Sequence, residues 1–76
     1  MTNEEAQMIA ALAKATIKMA TTLHESDGRS YQLDSSPTAT YRQRLAAKQE
    51  AMADRAMLLE LELDLFDAVM RVKNGE

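Results

Sequence analysis

The side chains able to do chemistry in this 76-residue chain are few. There is one histidine, His24, and no cysteine. Without Cys there is no catalytic thiol, no disulfide and no thiolate zinc site. A lone His with no Glu-x-x-His or His-x-x-x-His spacing cannot place two metal ligands on one helical face. His24 is instead expected close to the end of a first helix, where a cation-tolerant side chain meets the negative end of the dipole. Ser26, Ser30, Ser35 and Ser36 fall at turn and cap positions with no second histidine to act as their base.

Four carboxylates, Glu60, Glu62, Asp64 and Asp67, form the one acidic cluster. Helical spacing puts Glu60, Asp64 and Asp67 on a single stripe, whereas hard cations need oxygen ligands converging from a turn or from several elements. That stripe reads as a solvated face. Gly28 and Gly75 are the only glycines, which excludes phosphate-cradling loops. These residues predict no enzyme, no catalytic residue, no metal and no cofactor.

Arg44, Lys48 and Arg55, with Tyr41 nearby, make a basic row suited to a phosphate backbone. Glu50 and Asp54 interrupt it, and the net charge of -3 opposes a protein whose main task is holding nucleic acid. The same row suits acidic residues of a protein partner.

Local sequence signals indicate which elements carry these groups. Thr2 and Glu5 match a capping box, so a first helix is predicted over about residues 3–25. Ile9, Leu12, Thr16, Met19 and Leu23 recur at spacings of three and four, and Glu4, Gln7, Lys14, Lys18, Thr21 and Glu25 mark the polar face. Ser26-Asp27-Gly28 carries helix-stop chemistry, which predicts a long loop over about 26–36 with Tyr31 and Leu33 folding back as a plug. Ser36-Pro37 resembles a cap followed by proline at a first helical position, so the second helix is predicted over about 37–73. Its main seam is expected to be Leu45, Gln49, Met52, Ala56, Leu59, Leu63, Phe66 and Met70, at the coiled-coil period. A second apolar row, Leu58, Leu65, Val69 and Val72, with Leu61 on a further face, is expected to meet another molecule.

The expected fold is all-α: one domain over 1–76, an antiparallel helical hairpin of short helix, long loop and long helix, forming a dimeric bundle. Apolar cover is most needed over residues 56–72, which places Ala15 near Leu63. The candidate partner or dimer interface comprises Leu58, Leu61, Leu65, Val69 and Val72, with Tyr41, Arg44, Lys48, Arg55, Tyr31 and Leu33. No run of about 18 apolar residues exists, since residues 56–72 carry Glu60, Glu62, Asp64, Asp67 and Arg71, so no membrane span is predicted. The acidic start lacks the positive region of a secretory signal, and a cytoplasmic location is expected. The function expected from these features is a non-enzymatic interaction module, a small homodimeric adaptor, inhibitor or regulator of a larger protein. An assembly or chaperone subunit is the first alternative and a helical nucleic-acid binder the second.

Overall fold

Thr2 begins the first helix as the sequence implies. Its backbone N–H donates to Glu5 Oε1 at 2.9 Å, and Glu5 N–H donates back to Thr2 Oγ1 at 3.1 Å. Hydrogen bonding to the Glu5 carboxylate from the Thr2 backbone N–H, and then from its side chain, lowers the pKa of that carboxyl from its ordinary value. In the computed structural model, which describes residues 1–75, this helix, α1, spans Asn3–Ser35.

α1 is therefore ten residues longer than the 3–25 expected, and the predicted loop over 26–36 is helical as far as Ser35. The stop signal at Ser26-Asp27-Gly28 is overridden by tertiary contacts. Ser26 is the most buried side chain, at 1% exposure, and its hydroxyl is satisfied within the helix by the Leu23 carbonyl at 3.1 Å. Asp27 pairs with Arg55 at 3.1 Å and Arg29 with Glu50 at 2.6 Å, so the residues flanking Gly28 are both engaged by the second helix. Gly28 does not adopt a positive φ.

What ends α1 is proline. Ser36 precedes Pro37 and is extended, with φ -85° and ψ 124°, as the clash with a following pyrrolidine ring demands. Ser36-Pro37 thus closes the first helix and does not open the second. The second helix, α2, spans Tyr41–Gly75 and is begun by another reciprocal cap: Thr40 N–H donates to Gln43 Oε1 at 2.9 Å and Gln43 N–H to Thr40 Oγ1 at 3.2 Å. The connection shrinks to residues 36–40, within the range usual for antiparallel neighbours.

Gly28 now lies inside a helix with nothing within 4 Å of where a Cβ would sit. Gly28→Ala is expected to stabilise the chain by about 0.5–1 kcal/mol by restricting the unfolded backbone. Urea denaturation measures this, and an unchanged or lower midpoint would contradict a helical residue 28.

The two helices pack side by side along their length, giving a rod of 57 × 14 × 13 Å. Its radius of gyration is 17.0 Å, against about 11 Å for a compact domain of this size. On α1 the inner face is the predicted stripe Ile9, Leu12, Thr16, Met19 and Leu23, continued through Ser26, Ser30 and Leu33. On α2 the inner face is Arg44, Ala47, Ala51, Asp54, Leu58, Leu61, Leu65, Ala68 and Val72, each buried or half-buried and again three and four apart. The ion pairs Asp27–Arg55, Arg29–Glu50 and Asp34–Lys48 show the two helices running antiparallel. Among the described residues, no helix is long and apolar enough to cross a membrane.

Candidate functional site

The inner face of α2 inverts the two rows read from the sequence. Leu58, Leu61, Leu65 and Val72, expected at an intermolecular contact, are half-buried on the side of α2 that carries buried Ala47, Ala51 and Ala68, toward α1. Leu33, expected in a loop, is half-buried in α1 on the same inner seam. The row expected to pack inside the chain faces out: Met52, Leu59, Leu63 and Phe66 are 68%, 57%, 54% and 61% exposed, with Leu45 beside them and Met70 half-buried at the end.

At 100° per residue this outer row is centred about 150° around α2 from the seam against α1, almost on the opposite side. It runs from Leu45 to Met70 over about 37 Å. Val69 and Tyr41, both exposed, lie on the shoulder between the two faces, on the same side as the Asp27–Arg55 and Asp34–Lys48 ion pairs. Tyr31 and Ile17 on α1, also exposed, border that side. The candidate residues therefore separate: Val69, Tyr41 and Tyr31 are on accessible surface, whereas Leu58, Leu61, Leu65, Val72 and Leu33 hold the hairpin together.

The basic row holds the hairpin together as well. Arg44 is half-buried and donates from Nε to the Leu33 carbonyl at 3.2 Å and from Nη2 to the Ser36 carbonyl at 2.8 Å, adding to the backbone bonds these carbonyls accept from Ser36 and Ala39 at the end of α1. Lys48 lies 3.7 Å from Asp34, and Arg55 is paired with Asp27. Exposed ion pairs of this kind contribute little stability each, but all three basic side chains are directed along or into their own chain. The basic-row pattern does not mark Arg44 as a cap for the preceding helix. The signal for it was a cation placed one turn into a helix that follows a proline-terminated one.

The groups with catalytic potential do not converge. His24 sits on the exposed surface of α1, more than two turns before its end, so it does not face the helix C-terminus as expected. The Ser26 hydroxyl is buried and bonded within its own turn. Glu60, Glu62, Asp64 and Asp67 are exposed, and among the described residues no three His, Asp or Glu side chains are grouped so as to hold a metal ion. A shallow depression is lined by Met8, Leu12, Asp64, Asp67 and Arg71 and opens broadly to solvent. A carboxylate oxygen of half-buried Asp54, Oδ2, lies on the inner seam without a protein hydrogen-bond partner.

The outstanding feature is therefore an uncovered apolar face on a thin core. The buried apolar residues are Leu23, Ala47, Ala51 and Ala68, three of them alanine, while Leu59, Leu63 and Phe66 lie outside. No family model, curated protein or solved structure matches this chain.

Proposed function

We propose that the chain is a non-enzymatic protein-interaction module that docks helices of other polypeptides on the outer face of α2. The observation that carries this reading is the exposed row Leu45, Met52, Leu59, Leu63 and Phe66, ending at half-buried Met70, at coiled-coil spacing on a helix whose opposite face is already occupied. Large contiguous apolar patches mark contact sites on soluble surfaces. A straight helix with a 4-3 apolar repeat presents ridges and holes that another helix fits best. The adaptability of methionine side chains, here Met52 and Met70, suits such a surface. An adaptor, inhibitor or regulator acting by helix presentation follows from this arrangement, as does a subunit held in a larger assembly.

Nucleic acid is disfavoured because the cations that would grip phosphates are engaged by Asp27, Asp34 and the end of α1. A photo-crosslinking side chain placed at Leu63, and separately at Lys18 on the polar face of α1, tests the reading in the native host. Polypeptide adducts are expected from position 63 and not from position 18. The reading fails if position 63 yields none, or if nucleic acid is the main adduct.

A further inference from the structure

Resting on that reading of the outer α2 face, we infer that its occupant is α2 of a second copy of this chain, running antiparallel and overlapping over the full helix. The spacing of the row points to this first. Leu45, Gln49, Met52, Ala56, Leu59, Leu63, Phe66 and Met70 are separated by four, three, four, three, four, three and four residues, a series that reads the same in both directions. A copy turned end for end therefore places its row in register with this one, opposing Leu45 to Met70, Gln49 to Phe66, Met52 to Leu63 and Ala56 to Leu59. The centre of that pairing falls between positions 57 and 58, at the middle of Tyr41–Gly75, so neither helix overhangs the other. A self-complementary patch of this kind is what a two-fold dimer requires.

Charge selects the same direction. Apart from Arg44 and Asp54 on the inner seam, the first part of α2 carries Arg42, Lys48 and Arg55 against Glu50, and the remainder carries Glu60, Glu62, Asp64 and Asp67 against Arg71 and Lys73. Antiparallel packing sets the basic part of each copy against the acidic part of the other. In the opposed register Arg55 comes beside Glu62 of the second copy, twice by symmetry. The guanidinium presents five N–H donors, so it can keep Asp27 while reaching across. A parallel copy in register would pair Arg55 with Glu60 but set Glu62 against Asp67, so the like pair offsets the unlike one, whereas the antiparallel copy keeps the attraction alone.

Surface area gives an independent reason. The chain exposes 5922 Å², whereas a compact monomer of 8.5 kDa exposes about 4,700 Å². The excess, about 1,200 Å², exceeds the roughly 800 Å² per partner that a standard stable interface removes. α1 shows no comparable row, because its exposed large apolar side chains, Met8, Ile17 and Tyr31, are scattered and the face it turns from α2 carries Gln7, Lys14, Lys18, Thr21 and Glu25. The assembly has two α2 helices at its centre and an α1 on each outer side.

Sedimentation equilibrium on the full chain is expected to give twice the 8.5 kDa chain mass. Leu45→Cys and Met70→Cys chains, mixed and oxidised, are expected to form the mixed disulfide in preference to either self-linked product. Glu62→Lys is expected to raise the dimer dissociation constant several-fold, more at low salt than at high salt, with helix content unchanged. Preferential self-linking of Leu45→Cys would overturn the antiparallel register. A monomer at all concentrations would overturn the second copy itself. It would leave the interaction reading intact, because adducts from position 63 to a different protein would still identify the face as a docking surface.

Discussion

Leu65→Asp is expected to unfold the hairpin, while Leu63→Asp, two residues away, is expected to leave it folded. Leu65 is half-buried on the seam between α1 and α2, where an aspartate loses the leucine's burial and sets an unpaired charge against Leu12 and its neighbours. The loss is about 3 kcal/mol, less than at a fully buried site but a large share of the stability of a domain this small. Leu63 is 54% exposed on the outer row, so in the isolated chain its replacement changes stability by about 0.5 kcal/mol or less. Circular dichroism melts over a range of protein concentrations separate the two effects. The defect of Leu65→Asp persists at every concentration because it is intramolecular, whereas any loss in Leu63→Asp tracks lost association and vanishes on dilution. Equal melting of the two variants in dilute solution would mean that the inner and outer faces of α2 are assigned the wrong way round.

That contrast also shows where the sequence was legible. The class of fold, two helices in a hairpin, followed from caps and periodicity, and the inner stripe of α1 from Ile9 to Leu23 was read correctly because α1 has a single apolar face. α2 has two, and hydrophobicity alone ranked them in the wrong order. The outer row holds the larger side chains, so it looked like the core. The inner face holds Ala47, Ala51, Asp54 and Ala68, which looks like surface in a list of residue types but is what close helix packing selects. Position relative to charge carried the missing information. Asp27 and Asp34 pair with Arg55 and Lys48, and Arg29 with Glu50, and these are the residues flanking the alanine seam on its two sides. Opposite charges beside a seam on both helices thus mark the alanine-containing row as the inner one.

The loop was misplaced for a related reason. Ser, Asp and Gly in succession prefer turns when the chain is considered locally, but helix propensity differs among such residues by only about 1 kcal/mol or less. Burial of Leu23, Ser26, Ser30 and Leu33 along the seam outweighs that preference once the second helix is alongside, with the exposed ion pairs of Asp27 and Arg29 adding a little. Proline does not yield in this way, since its ring excludes a helical residue before it, and Pro37 is where the chain turns.

The strongest demand on that turn-proximal half is small size, which gives the last expected result. Ser26 at 1% exposure lies level with Ala51 at 7%, and Ala47 at 7% lies one turn nearer the connection, level with Ser30. Side chains this short let the helix axes approach to about 8 Å, the near end of the usual range. Ala51→Leu adds three carbon atoms where there is no room, and overpacking of this kind costs about 1–3 kcal/mol. For a domain of this length that lowers the melting temperature by roughly 4–8 °C per kcal/mol. Prising the helices apart there also lengthens Arg29–Glu50 and Asp27–Arg55, so the added carbons cost more than their own contacts. Ser26→Ala serves as the control. It keeps the small volume and removes only a hydroxyl bonded within its own turn, so it is expected to hold or raise stability by a few tenths of a kcal/mol, given the better helix propensity of alanine. If Ala51→Leu melts at or above the parent temperature, the inner face has space for leucine, and the alanines are there because α2 tolerates them and not because α1 requires them.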